Sequence, residues 1–305
     1  MMGTWNALAM LVLVLVIAPA LPGIATKTKS YLTGRRGPPV LQLYYDLAKL
    51  LRKDSVYSTT TTWVFRAGPA VVLAAILIAA LLLPLDGRDA PLRFAGDLVA
   101  FAALFALARF ALVLAGLDTG SSFEGMGASR EVTFATFAEP VLFLCFTALV
   151  LATGELSLSG MLGAPLLTAW PQAAASLTLV GISLFVLLLA ENSRVPVDDP
   201  LTHLELTMIH EVIVLDHSGP DLAVILYASA LKLALFAALL VGVLIPRAGL
   251  SAPVSAAVLL IGLGAVAVGI GLVEVTMARL RLTRVPQLLV GAGAMALFAI
   301  ILLLR

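Results

Sequence analysis

Eight stretches of the chain are apolar almost without interruption: residues 5–22, 67–83, 98–117, 132–152, 173–190, 222–245, 254–273 and 288–304. A helix of about twenty apolar residues crosses the roughly 30 Å hydrocarbon core of a bilayer, and each stretch approaches that length. The pattern predicts an all-α integral membrane protein, one membrane domain over residues 1–305 with eight transmembrane helices. Two polar segments stand out between the spans. The first, 23–66, contains a helical pattern at 41–53. There Gln42, Asp46, Lys49 and Lys53 share one side, and Leu43, Tyr44, Leu47, Ala48, Leu50 and Leu51 cover the other. That predicts an amphipathic helix lying along the membrane surface, either as a brace or as a platform for a partner. A rigid basic turn precedes it, Gly34-Arg35-Arg36-Gly37-Pro38-Pro39.

The second polar segment, 190–221, holds all three histidines of the chain and seven of its eighteen acids, offset only by Arg194. From Leu201 a helical reading puts His203, Thr207, His210, Val214 and His217 on one stripe, because seven residues advance a helix by only about −20°. Glu211 flanks the stripe, and Glu205 and Asp216 lie opposite. His203 and His210 would stand about 10.5 Å apart along the axis, too far to share a metal, so no metal site is expected. The stripe reads either as buried, hydrogen-bonded histidines or as proton-handling groups, since histidine titrates near neutral pH.

Three ionisable residues interrupt the spans themselves. Arg109, Glu139 and Lys232 lie about 12–15 Å inside their stretches, near one plane, at 1.5 Å per residue. Facing lipid they would be costly, so they are expected to face one another or water, as packing ion pairs or as a lateral proton relay. Pro140, next to Glu139, frees a backbone carbonyl one turn earlier.

Composition agrees with the pattern. At 61% hydrophobic and 12% charged, the chain has half the charge of a typical soluble protein. Ala18-Pro19-Ala20 resembles a cleavage site. However, no Lys or Arg precedes the first apolar run, while Lys27 and Lys29 follow it, so the run is expected to be a retained span. Thirteen cationic residues fall in the loops after spans one, three, five and seven, against four on the other side. The positive-inside rule then puts both termini on the outer (periplasmic) side of a bacterial inner membrane. Cys145 alone can make neither an intrachain disulfide nor an iron–sulfur site. No phosphate loop, dinucleotide fingerprint, catalytic triad or nucleic-acid patch is present. No catalytic residue and no cofactor is therefore expected in this chain.

Ala190-Glu191-Asn192-Ser193-Arg194-Val195-Pro196-Val197-Asp198 resembles the signature of respiratory complex I subunit 1, and more closely that of the homologous membrane subunit of group 4 NiFe hydrogenases of the formate hydrogenlyase kind. The stretch Ser121–Arg130 with Glu139 beyond it, the first loop (Arg35 to Pro39, then Asp46 and Lys49) and the run from Arg279 to Gln287 are similar to the same family. The resemblance implies a heel subunit that seats an electron-transfer arm and carries an acidic path to mid-membrane. The resemblance puts that path on Glu139, Glu191, Asp198, Glu205 and Glu211, with Arg130 and Arg194; the reading of the residues above adds His203, His210, His217 and Lys232, and Arg35, Arg36, Arg130 and Arg194 would serve docking or structure. It also implies partners: hydrogenase large and small subunits, an iron–sulfur subunit and antiporter-like membrane subunits, holding the NiFe centre and the iron–sulfur clusters. Val197-Asp198-Asp199-Pro200 and the histidines depart from the complex I continuation and favour the hydrogenase branch. The alternatives are a quinone-binding subunit of an NADH dehydrogenase and a stand-alone ion-coupled transporter.

Overall fold

The computed structural model describes the backbone of residues 2–198 and 209–305, with side chains from Trp5 onward. The first apolar stretch forms not one straight helix but two, α1 (Met2–Ile17) and α2 (Ala20–Leu32), bent by 46°. Pro19 causes the break: it has no N–H for the Leu15 carbonyl. Tyr227 donates to that carbonyl instead at 3.0 Å, and Tyr44 donates to the Val16 carbonyl. α2 runs on past the apolar stretch through Lys27 and Lys29. Thr26, Thr28 and Ser30 each fold a hydroxyl back onto the carbonyl four residues earlier, so these polar residues need no outside partner.

The short helix α3 (Gln42–Leu50) occupies the amphipathic segment. Then α4 (Trp63–Leu82) and α5 (Asp97–Asp118) pack as an antiparallel pair. Thr62 caps α4, and its own N–H is held by Asp118 at 2.7 Å, which ties the start of one helix to the end of the other. α6 (Ser122–Thr153) has 32 residues and is about 48 Å long, longer than the apolar stretch 132–152 that marks it. One turn, α7 (Leu158–Met161), leads to α8 (Ala164–Glu191), which kinks at Ala173 two residues after Pro171. A second single turn, α9 (His210–Ile213), precedes α10 (Gly219–Leu244). α11 (Ala252–Thr276), a 3-10 turn (Leu282–Arg284) and α12 (Val285–Leu303) complete the chain.

Among the described residues seven helices are long and apolar enough to cross a membrane, and the bent α1–α2 pair, counted as one span, brings the number to eight. α10 is the central one, packed against α4, α8 and α11. Small residues allow the close approaches: at Gly271 of α11 an added Cβ would lie 2.7 Å from the Ala25 carbonyl of α2. The loops sort onto two faces. On the first, Tyr57 donates to Asp221 at 2.7 Å, the Asp216 N–H donates to Glu124 at 3.1 Å, and Leu280 N–H donates to the Pro196 carbonyl at 2.9 Å. On the far face, Arg247 donates to the Leu85 carbonyl at 2.6 Å and Ala90 N–H to Ser159 at 2.9 Å. Loops after odd spans share one face and those after even spans the other, as an alternating eight-span path requires.

Candidate functional site

The site is built around a buried guanidinium. Arg109 sits nine residues before the end of α5, about 14 Å in from the first face. Its Nη2 meets both oxygens of Glu191 at 2.6 and 2.7 Å, and its Nη1 lies 2.5 Å from Glu139. Glu131 stands 3.5 Å from its Nε. Lys232, thirteen residues into α10, approaches the second oxygen of Glu191 at 2.7 Å. Three carboxylates thus share two cations. Side chains of Arg109 and Glu191 are only 7% and 6% exposed, so neither charge would be tolerable there without an opposite charge beside it.

Glu191 reaches this depth because α8 ends there and not at the face. Ser193 takes φ 48°, and the N–H groups of Ser193 and Arg194 bond back to the Ala190 and Leu189 carbonyls at 3.2 and 2.9 Å. This is the left-handed helix stop usually made by glycine. The chain then turns inside the bundle, where a second ionic set secures it. Asp198 pairs with Arg279 at 2.8 Å and accepts from Ile209 N–H at 2.9 Å. Arg194 and Lys29 both face Glu274, at 3.5 and 3.7 Å.

Three adjoining spaces connect these groups. A cleft of about 180 Å³, lined by Arg194, Asp198, His210 and Glu211, opens on the first face. It shares Asn192, Ser193, His210 and Ser229 with a tighter space around Arg109, Glu191 and Lys232. That space shares Arg109, Glu131 and Glu191 with a third beside Ala138. Beyond it Glu139, its side chain 44% exposed, lines a groove with Thr136, Pro140 and Phe143 on the outer surface of α6. Polar groups therefore line a route from one face of the bundle to its side. His210 stands beside these spaces. Burial lowers its pKa first of all, Glu131 and Asp198 pull it up, and Lys232 pushes it down.

Of the residues singled out in the sequence, Arg109, Glu139, Glu191 and Lys232 come together, and His210, Glu211, Asp198 and Arg194 line the adjoining cleft. Arg130 is half-buried on α6 next to Glu131, and Arg35 and Arg36 are exposed in the turn after α2. His203 and Glu205 lie outside the described residues. The histidine stripe is not continuous: α9 is a single turn, and His217 lies beyond it in the turn before α10. The reason is packing. Ile213 fills the space left by Gly116 and Gly127, and Glu124 captures Asp216, so the chain cannot continue as a helix. His217 instead stacks on Phe65, ring centroids 4.0 Å apart, where burial lowers its pKa while Asp221 and Asp216 oppose the shift. Glu131, Glu274, Lys29 and Arg279 are the charged members that sequence reasoning passed over. Glu131 had a signal, two steps of four residues before Glu139 on one helix, and Glu274 interrupts the end of an apolar run.

The family described as NADH dehydrogenase matches residues 5–304. The chain is 33% identical over 295 residues to formate hydrogenlyase subunit 4 of Escherichia coli (strain K12), covering 94% of each chain. It is 33% identical over 243 residues to hydrogenase-4 component C of the same organism, covering 79% of this chain and 75% of that one. A chain in the structure of the membrane-bound sulfane sulfur reductase, an archaeal respiratory membrane complex, superposes with a TM-score of 0.84 at 20% identity, covering 99% of both chains. The last comparison establishes a common fold.

Proposed function

This chain belongs to the NADH dehydrogenase family, and on that premise we propose that it is the membrane-anchoring and proton-path subunit of a multi-subunit, membrane-bound NiFe hydrogenase complex of the formate hydrogenlyase kind. It is a multi-pass membrane subunit of an oxidoreductase complex. In this reading it has no active site of its own. The NiFe centre and iron–sulfur clusters sit in hydrogenase large, small and iron–sulfur subunits, and antiporter-like membrane subunits adjoin it. The first face is cytoplasmic in a bacterial inner membrane, both termini are periplasmic, and Arg35 and Arg36 beside α3 meet the electron-transfer arm.

The observation that carries the proposal is the Arg109 centre, which joins Glu191, in the space next to the cleft, to Glu131 and Glu139 toward the side of the bundle. A carboxylate shared among cations and neighbouring carboxylates can take up and release a proton as its partners shift, because the proton count belongs to the cluster and not to one residue. Glu139, half-exposed at the lateral end, is placed to pass that proton to a neighbouring membrane subunit. Glutamine in its place keeps the shape and most hydrogen bonding but cannot titrate. Sealed vesicles carrying Glu139→Gln are expected to lose proton translocation while the assembled complex keeps much of its electron transfer with artificial donors. Acidification at the wild-type rate would overturn the reading. A second reading, a quinone-binding subunit, draws on the mixed lining of the cleft, where Arg194 and Asp198 face Ile225 and Leu233. Inhibition by quinone analogues would favour it over the first.

A further inference from the structure

The elbow between α1 and α2 lies outside the route just described, yet it is held from two directions. Pro19 leaves the Leu15 carbonyl without its helical donor, and the 46° bend leaves Val16 in the same state. A carbonyl without a donor is costly at hydrocarbon depth, where water cannot replace the lost bond. Two phenols supply the missing donors: Tyr227 from α10 reaches Leu15, and Tyr44 from α3 reaches Val16.

The neighbours of these same residues form one wall of the cleft: Pro22 just past the elbow, Leu43 beside Tyr44, and Leu226 beside Tyr227. The chain entering α3 is seated directly on the second arm of the elbow, since an added Cβ at Gly23 would lie 2.0 Å from the carbonyl of Val40, two residues before α3, and α3 itself packs against α2. α1 itself is attached along a single edge. Ala7, Met10, Val14 and Ala18 are buried, whereas Trp5, Leu8, Val12 and Val16 are exposed. The first arm of the elbow, α1, is thus held by one stripe of contacts and, at its end, by the two tyrosines.

We infer that Tyr44 and Tyr227 are positioning residues that lock the α1–α2 elbow in place as the bilayer-side wall of the cleft. The locked wall keeps the cleft open to water from the first face only, and it ties the position of the wall to the seat of α3. The inference rests on reading the cleft as the start of the proton route. Its structural content is tested without turnover.

The test uses the full chain in its native membranes with buried Cys145 replaced by Ala and with Ser229→Cys as the reporter inside the cleft. A maleimide that partitions into the bilayer and a membrane-impermeant maleimide are compared. Tyr44→Phe or Tyr227→Phe is expected to raise the rate with the bilayer reagent about five-fold, and the pair about thirty-fold. Those ratios follow from about 1 kcal/mol for each neutral hydrogen bond. The rate with the impermeant reagent should stay as it was. Gly23→Ala, which pushes α3 off the elbow, should raise the bilayer rate in the same direction. The inference is overturned if the double variant labels at the parent rate. It is equally overturned if the same variant accelerates labelling of Ala148→Cys, a buried position on α6, because that signals general loosening. Failure here leaves the proton-path reading to the vesicle assay.

Discussion

Arg109 is the residue on which the charge balance of the bundle turns. It holds Glu191 and Glu139 directly and stands near Glu131, while Lys232 supplies the second cation. Removing it leaves three carboxylates with a single cation in a space that water enters poorly. Breaking a buried ion pair from one side costs about 3–5 kcal/mol. Arg109→Gln should therefore lower the melting temperature of the purified complex sharply, whereas Glu191→Gln, which leaves Arg109 its other two carboxylates, should lower it far less. Equal losses would contradict the arrangement. His217 carries a separate, pH-dependent contribution. Its pKa is lowered in the fold by burial against Phe65, so the unfolded chain binds the proton more readily. The stability from burying the neutral ring is then fully present above about pH 6.5, the unperturbed value, and is lost as pH falls through the depressed one. The melting temperature should fall between pH 7.5 and pH 5.5, and His217→Phe, which keeps the stack, should flatten that fall.

At the scale of elements, the acidic segment is positioned by the helices it crosses more than by its own helical tendency. Ile213 of α9 is seated against α5 and α6 through Gly116 and Gly127. A Cβ at Gly127 would lie 2.9 Å from the Ile213 side chain and 3.0 Å from the Ile209 carbonyl. A backbone carbonyl cannot swing aside as a side chain can. Overpacking of this kind costs about 1–3 kcal/mol, so Gly127→Ala should destabilise the protein and expose the segment to protease. Gly125→Ala, two residues earlier on α6 with no atom within 4 Å of the added carbon, should be neutral or slightly stabilising. If the two variants behave alike, the packing of α9 does not position the segment.

For the whole molecule, the loops divide between two faces, and the cationic residues divide with them. The orientation this implies is checked by fusing reporters after Arg305: one that works only outside the cytoplasm should be active, and one that works only in the cytoplasm should be silent. The reverse result would turn the far face to the cytoplasm and would place the cleft on the wrong side for a cytoplasmic arm.

Much of this was readable in the sequence, because membrane spans obey a one-dimensional rule. A segment without water must satisfy its own backbone, so apolar length alone announces a helix, and the eight stretches and the all-α class follow from it; the amphipathic segment at 41–53 follows from helical periodicity, its helix being the shorter Gln42–Leu50. The mid-depth residues Arg109, Glu139 and Lys232 were legible for the same reason, as charges where charge is costly. What the linear pattern could not decide is where a polar segment goes once it leaves its helix. Glu191 and Asp198 read as part of a surface segment, and the stretch from His210 to His217 read as one helix. Packing decided otherwise: a left-handed stop at Ser193, a groove made by Gly116 and Gly127, and a pairing of Asp198 with Arg279 from the far end of the chain drew the segment into the bundle. The groove and the ion pair join residues 81 to 97 positions apart, and periodicity registers only neighbours along the same helix. The sequence determined which residues must find polar partners; only the tertiary structure decided which partners they found.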